Sequence, residues 1–213
     1  MHIPLEKCML YRGIPMRFDM DIERLGESIH THGQLEPGMA IRQNDDYLVP
    51  DGRRRLLACR YSRYHYGGPN IYSAMVYRDL DEVQIFTEAF IKNNERKSFS
   101  LLEEVNYFRE ANKRFGSKVA VEIGLLAGRE ADHMKGVLEV CGWIESNLVK
   151  LHRIEMRTGH RFNLSHLGSI AQYRQDAKTF YQIAAVIAAC KINPYNVDLD
   201  RVKSLVKYYV PWF

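Results

Sequence analysis

The segment DGRRRLLA, residues 51–58, decides how the N-terminal half of this chain folds. The residues from Tyr47 to Val49 before it predict a strand, and those from 52 to 64 predict a helix. A glycine at such a junction lets the backbone approach a ligand closely. The N–H groups of the first helical turn then face an anion. The segment therefore predicts a phosphate-binding turn between a strand and a helix.

Three consecutive arginines open the predicted helix: Arg53, Arg54 and Arg55. Cations at a helix N-terminus oppose the helix dipole, so the arrangement favours an anionic ligand. Guanidinium groups suit phosphate oxygens, although at helical spacing only one or two of the three reach the same ligand. Together with Gly52, these arginines are the predicted phosphate-binding residues.

The pattern of apolar residues changes near Phe99. Before that point, strand and helix patterns alternate: a helix at 19–32, a hairpin of strands at 39–42 and 47–49, a strand at 71–77 and a helix at 81–92. After that point, the pattern is helical throughout. The sequence thus predicts an α+β protein, with a small α/β domain over residues 1–98 and an all-helical domain over residues 99–213.

A helix-turn-helix is predicted in the second half, over residues 118–140. Ser100 and Glu103 have the spacing of a capping box and begin a helix that ends at Gly116. The two short helices that follow are separated by a turn containing Gly128. Further helices are predicted at 145–157, 163–171, 176–190 and 197–209, the last two separated by Pro194.

The C-terminal third is basic, with 10 Lys and Arg against 4 Asp and Glu from residue 147 onward. Such a surplus favours a surface that faces phosphates. In the second helix of the predicted helix-turn-helix, Arg129, His133 and Lys135 are suited to a DNA groove. Lys150 and Arg153, further on, are suited to the DNA backbone. Three acidic residues near or in the same helix oppose contact with phosphate: Glu130, Asp132 and Glu139.

Two classes of protein are disfavoured by the composition. No apolar run approaches the ~20 residues needed to span a bilayer, and the first residues lack the apolar core of a signal peptide. A cytoplasmic protein is therefore expected. The four cysteines lie far apart among apolar residues, which predicts buried hydrophobes rather than zinc ligands: Cys8, Cys59, Cys141 and Cys190.

Three blocks, in one order, resemble the ParB family of chromosome- and plasmid-partition proteins. They are GQLEPG at 33–38, DGRRRLLA at 51–58 and KNNERKSFSLLEE at 92–104. The second block resembles the family's GERRxRA motif, the triphosphate cradle of its CTP site, at Gly52, Arg54, Arg55 and Ala58. Arg53 and Leu57 depart from that motif. The resemblance implies that the glycine and the arginines bind nucleotide.

The third block resembles the family's ENxQRxxLxxxEE box at Asn93, Arg96, Glu103 and Glu104. The resemblance implies that Asn93 helps hold Mg²⁺ and that Arg96 supports the nucleotide. In the first block, Glu36 replaces a usual Gln, and a carboxylate there suits metal binding or general-base work. Lys92 replaces a family Glu that is associated with metal and CTP hydrolysis, and a charged Lys does not ligate Mg²⁺. CTP hydrolysis is therefore expected to be weak or absent.

The resemblance implies a fold shared by ParB and sulfiredoxin, followed by the helix-turn-helix domain. It implies a partition protein that binds a centromere-like site in double-stranded DNA and closes as a clamp with CTP and Mg²⁺. It also implies a dimer, a ParA-type ATPase as partner, and a nucleoid- or plasmid-associated location. Two alternatives stay open: a small-molecule kinase or other phosphotransfer enzyme on the same scaffold, and a ParB-derived transcriptional regulator without nucleotide switching.

Overall fold

The chain forms two compact units, residues 1–98 and residues 99–213. A computed structural model describes residues 1–15, 17–18, 20–96, 99–144, 147–192 and 198–209. No helix among these residues is both long enough and apolar enough to cross a membrane. The helix break predicted at Pro194 lies outside the described residues.

Over its described residues, the first unit is a five-stranded sheet with three α-helices. In chain order its elements are β1 (His2–Pro4), β2 (Cys8–Leu10), α1 (Ile22–His32), β3 (Gly38–Gln43), β4 (Asp46–Asp51), α2 (Arg53–Tyr66), β5 (Ile71–Tyr77) and α3 (Glu82–Arg96). The strand order is β1-β5-β3-β4-β2. The predicted hairpin is confirmed: β3 and β4 pair antiparallel, and the turn between them places Asn44 at a φ of 57°.

The sheet order brings distant parts of the sequence together. Strand β5 joins β3 in parallel, and β2 joins β4 in parallel, so β4 lies inside the sheet and ends beside the start of α2. The core of this unit consists of residues from the strands and from the inner faces of α1 and α2: Ile3, Leu5, Cys8, Ile29, Ala40, Val49, Leu56, Cys59, Tyr72 and Ala74. The predicted burial of Cys8 and Cys59 is confirmed.

The second unit is all helical over its described residues. Its α-helices are α4 (Leu101–Leu126), α5 (Ala131–Cys141), α6 (Leu148–Thr158), α7 (Leu164–Ile170), α8 (Ala177–Ala189) and α9 (Leu199–Tyr209). The capping box is confirmed: Ser100 accepts from the Glu103 N–H at 3.3 Å, and Glu103 accepts from the Ser100 N–H at 3.0 Å.

Helix α4 is two helical segments divided at Gly116, which has a φ of 82° and a ψ of 165°. The predicted end of the helix at this glycine is confirmed, because only glycine adopts such a backbone without strain. The segment after Gly116, the turn at 127–130 and α5 follow one another as two short helices joined by four residues. Gly124 lets α5 pack closely, since a Cβ there would lie 2.4 Å from the Met134 sulfur.

Candidate functional site

The turn between β4 and α2 is built on two glycines and one tyrosine. Gly52 has a φ of 82°, and a Cβ on it would lie 2.9 Å from the Gly38 Cα and 2.4 Å from the Tyr72 hydroxyl. The buried Tyr72 hydroxyl donates to the Gly52 carbonyl at 3.0 Å, and burial raises the pKa of this tyrosine. The backbone at the start of α2 is thus fixed from beneath by β3 and β5. No side chain caps α2 at Gly52.

A buried carboxylate joins the second and third sequence blocks at this turn. Asp51, the last residue of β4, is only 3% exposed. Its Oδ1 accepts from the Asn93 amide at 3.0 Å, and its Oδ2 lies 3.5 Å from Arg55 Nη2. The first block joins the cluster through Glu36, whose Oε2 lies 2.9 Å from Arg55 Nη1. The structure therefore brings Glu36, Arg55 and Asn93 together around Asp51.

Asp51 was not among the residues predicted from sequence. The sequence nevertheless pointed to Asp51 as a candidate. This residue ends an apolar strand directly before a glycine, and a carboxylate is unusual at such a buried position. What the sequence did not contain was the partner on α3, since Asn93 lies 42 residues further along the chain. Buried carboxylates need such partners to offset the loss of hydration.

The three arginines at the start of α2 point in different directions. Arg53 is buried, whereas the Arg54 side chain is 40% exposed. Arg54 donates to the Asp21 carbonyl at 3.2 Å. Arg53 donates to three backbone carbonyls of the loop after β2: Tyr11, Ile14 and Pro15. The guanidinium of Arg53 therefore holds this loop, and the role of Arg53 in nucleotide binding stays a prediction.

The charge argument for an anion also changes. Arg55 lies between Glu36 and Asp51, and Arg54 lies 3.9 Å from the Asp21 carboxylate. These carboxylates offset the unfavourable placement of cations at the helix N-terminus, so the macrodipole by itself does not require a bound anion. The features that still favour an anion are the N–H groups of the first turn of α2 and the Arg55 guanidinium, which Glu36 and Asp51 position.

Lys92, the residue at the position of the family's Glu, is engaged within the first unit. Its Nζ donates to the Tyr77 hydroxyl at 2.5 Å and lies 3.4 Å from the Glu88 carboxylate, with the side chain 14% exposed. The neighbouring Asn93 donates to both Asp51 and the Ala89 carbonyl. Its amide oxygen is then the atom suited to a cation. Arg96 ends α3, and its side chain lies outside the described residues.

The residues around Asp51 suit Mg²⁺ only with help from a ligand. No group of three or more His, Cys, Asp or Glu with metal-binding geometry occurs in the described parts of the chain. Mg²⁺ commonly takes one or two protein oxygens together with phosphate oxygens. Glu36 and the Asn93 amide are oxygen donors of that kind, so the residues present fit a nucleotide-bound Mg²⁺ and not a metal held by protein alone.

In the second unit, two of the predicted DNA-binding residues contact one buried acid. Arg129 Nε lies 2.6 Å from Glu104 Oε1, and the Glu104 side chain is 5% exposed. His133 Nε2 lies 3.2 Å from the same oxygen. Arg129 is in the turn before α5 and His133 is in the first turn of α5. The structure thus brings these two half-buried side chains together at Glu104.

The other predicted DNA-binding residues lie on the surface. Lys135 is 76% exposed and lies 2.9 Å from the exposed Asp132, whose pKa this lysine lowers by hydrogen bonding and by its charge. Lys150 and Arg153 are exposed on α6, and Lys150 Nζ lies 4.4 Å from the centre of the Tyr181 ring. The basic side chains of α6 are therefore accessible to a phosphate backbone.

Sequence comparisons give two curated relatives, and no protein-family model matches the chain. The probable chromosome-partitioning protein ParB of Helicobacter pylori is 24% identical over 119 residues, which cover 56% of this chain and 39% of that protein. The chromosome-partitioning protein ParB of Myxococcus xanthus is 27% identical over 127 residues, which cover 57% of this chain and 41% of that protein. The matched region spans about two fifths of each relative.

The fold has a solved counterpart. The C-terminally truncated ParB of Caulobacter crescentus, complexed to the centromeric parS site, aligns over 97% of this chain and 98% of that chain, with a TM-score of 0.51 and 18% identity. The α+β architecture predicted from sequence is confirmed by this likeness of fold. The chain is ParB-like in its sequence and in its fold.

Proposed function

We propose that this chain is a ParB-like partition protein that binds a centromere-like site in double-stranded DNA and switches a clamp with CTP and Mg²⁺. The observation that carries the proposal is the meeting of Glu36, Arg55 and Asn93 around Asp51. These residues come from three separate sequence blocks that resemble ParB motifs, in a chain with ParB relatives. Dimer formation, a ParA-type ATPase partner and a nucleoid or plasmid location belong to the same proposal.

Arg55 is the residue proposed to bind the nucleotide phosphates. Its side chain is 15% exposed, and the buried Asp51 lies 3.5 Å from its guanidinium at the start of α2. The competing pair with Glu36 is weak in water, because the Glu36 side chain is 63% exposed. An incoming triphosphate therefore displaces an exposed carboxylate while Asp51 keeps the guanidinium oriented. The first-turn N–H groups of α2, from Arg53 onward, add donors to the same anion.

Bound Mg²⁺ would neutralise phosphate charge, and Asn93 and Glu36 would hold it beside the nucleotide. Arg96 is proposed to support the nucleotide, as in the resembling family. Lys92 has the Tyr77 hydroxyl and the Glu88 carboxylate as partners, so it offers neither a metal ligand nor a general base. We therefore propose binding without efficient hydrolysis.

DNA binding is proposed for the second unit. Lys150 and Arg153 on α6 and Lys135 on α5 are exposed cations on two consecutive helices of one unit. Contacts of this kind with phosphates fix a protein on the duplex without reading its sequence. Association should then weaken steeply with salt: the slope of log K against log salt concentration should be about −0.9 for each phosphate neutralised.

A regulator that has lost the nucleotide switch is the second candidate. It is favoured by one observation: Arg53, Arg54 and Arg55 all have partners within the chain. A site whose cations are already paired gains less from an added anion.

Nucleotide titration separates these candidates. CTP, ATP, GTP and UTP are titrated with Mg²⁺ into the parent chain, into Arg55→Ala, and into Arg42→Ala as the control, because Arg42 is exposed on β3 and lies outside the predicted nucleotide-binding residues. Selective CTP binding that is lost in Arg55→Ala and kept in Arg42→Ala is the expected result. Selective ATP binding favours the kinase alternative, and absence of binding to all four nucleotides refutes the switch and favours the regulator.

A further inference from the structure

Helix α5 is fixed to α4 at both of its ends. Near its C-terminal end, the Cys141 thiol donates to the Val105 carbonyl at 3.3 Å. Near its N-terminal end, Arg129 and His133 approach Glu104. In the middle, Met134 packs against Gly124, where a Cβ would lie 2.4 Å from the sulfur. The placement of α5 is thus determined by contacts within the helical unit.

Glu104 is the buried charge in this arrangement. Its side chain is 5% exposed, and Arg129 Nε lies 2.6 Å from its carboxylate. The His133 ring shares the same oxygen at 3.2 Å and adds charge only when protonated. If Arg129 turned outward to a DNA base, Glu104 would be left buried without its charged partner, which is strongly unfavourable.

Lys135 provides the contrast on the same helix. It pairs with Asp132, but both side chains are open to solvent, at 76% and 91% exposure. Exposed pairs of this kind contribute little to stability, so Lys135 leaves Asp132 for a phosphate at small cost. Of the two cations, Lys135 is therefore the one whose present partner is lost at the smaller cost.

We infer that Glu104 is a positioning residue for α5 and that Arg129 acts through Glu104 instead of contacting DNA. The inference rests on the proposed DNA-binding function, and it reassigns Arg129, whose place at the start of α5 predicts a base contact. The Glu104–Arg129 pair sets how α5 is presented, and the exposed cations make the contacts with phosphate.

The test removes the pair one residue at a time and then together. Arg129→Met is expected to lower the melting temperature by about 10 °C or more, because it leaves Glu104 buried and unpaired. Glu104→Leu combined with Arg129→Met replaces both charges by apolar groups and is expected to recover most of that loss. Lys135→Met is the matched control and is expected to change the melting temperature by less than about 3 °C.

DNA binding supplies the readout that a purely structural role would not change. The probes are a duplex selected from a random pool by the parent chain and a random-sequence duplex of the same length, at a temperature where every variant is folded. Arg129→Met is expected to lower the ratio of specific to non-specific affinity about tenfold, because a displaced α5 would lose the equivalent of one base-pair discrimination even though Arg129 itself makes no base contact. The double variant is expected to recover this ratio and to keep the parent's salt slope.

Two results for a double variant that regains its melting temperature would overturn the inference. One is a slope of log K against log salt concentration that is smaller in magnitude by about 0.9, and the other is a ratio of specific to non-specific affinity as low as that of Arg129→Met. Either result would mean that Arg129 contacts DNA directly. The inference would also be overturned if the changes in melting temperature caused by Glu104→Leu and by Arg129→Met simply sum in the double variant, because the two residues would then not be coupled. If the parent chain selects no duplex, the proposed DNA-binding function fails. The unfolding measurements still test the Glu104–Arg129 coupling in that case.

Discussion

Substituting Gly38 or Gly52 by alanine should damage the turn before α2 in two distinguishable ways. A Cβ on Gly38 would lie 1.8 Å from the Tyr72 hydroxyl, and a Cβ on Gly52 would lie 2.4 Å from the same atom. Tyr72 is fully buried, so its ring has little room to withdraw. Gly52 has the added constraint of a φ of 82°, which an alanine adopts only with strain.

The expected magnitudes follow from these two effects. Overpacking a buried site costs about 1–3 kcal/mol, and a left-handed backbone adds about 1–2 kcal/mol for alanine. Gly38→Ala should therefore destabilise the first unit by about 2 kcal/mol and Gly52→Ala by about 3–4 kcal/mol. In a unit of this size each kcal/mol lowers the melting temperature by about 4–8 °C, so thermal unfolding measured by circular dichroism separates the two variants.

Tyr72→Phe identifies the cause of each loss. Removing the hydroxyl costs about 1 kcal/mol, because its hydrogen bond to the Gly52 carbonyl is lost. In the Gly38→Ala background, Tyr72→Phe also removes the 1.8 Å contact between the alanine Cβ and the hydroxyl, and the ring Cζ at 2.7 Å becomes the nearest atom. The double variant should therefore be about 1–2 kcal/mol more stable than the sum of the two single losses predicts. In the Gly52→Ala background, the backbone strain and the contact with Arg55 remain, so recovery should be smaller. Equal recovery in both backgrounds, or none in either, would refute this account of the turn.

Three further predictions concern other residues. Ser100→Ala removes the side-chain acceptor of the capping box and should destabilise the helical unit by about 1 kcal/mol in denaturant unfolding, whereas Ser100→Asp should keep most of that stability. Burial raises the pKa of the Cys59 thiol to about 11, so at pH 8 only about one thiol in a thousand is ionised and Cys59 should resist iodoacetamide until the chain unfolds; rapid labelling of the native chain, located by mass spectrometry, would contradict this. Lys92→Glu introduces the acid that the ParB family has at this position, so we expect measurable CTP hydrolysis. The change also places a second acid beside Glu88 and leaves the Tyr77 hydroxyl without its donor, so the melting temperature should fall by a few degrees. An unchanged rate of hydrolysis would show that Lys92 does not limit turnover.

The local elements of this protein were predictable because their causes lie within a few residues. The capping box at Ser100, the helix end at Gly116 and the hairpin between β3 and β4 each depend on side chains and backbone preferences that are read directly from the sequence. The turn after Asp51 was predictable for the same reason, since a glycine between a strand pattern and a helix pattern marks it. The resemblance to ParB is likewise carried by three short blocks of sequence, each of them local.

The partners of the charged residues were decided by tertiary structure. Arg53 and Arg55 are two residues apart and have the same chemistry, yet one holds a loop and the other faces Glu36 and Asp51. Arg129 was expected at DNA and contacts Glu104, 25 residues earlier. Each of these pairings spans many residues and depends on how the strands and helices pack. Sequence patterns specify the elements through short-range forces, whereas the choice of ion pair depends on burial, which arises only when the elements come together.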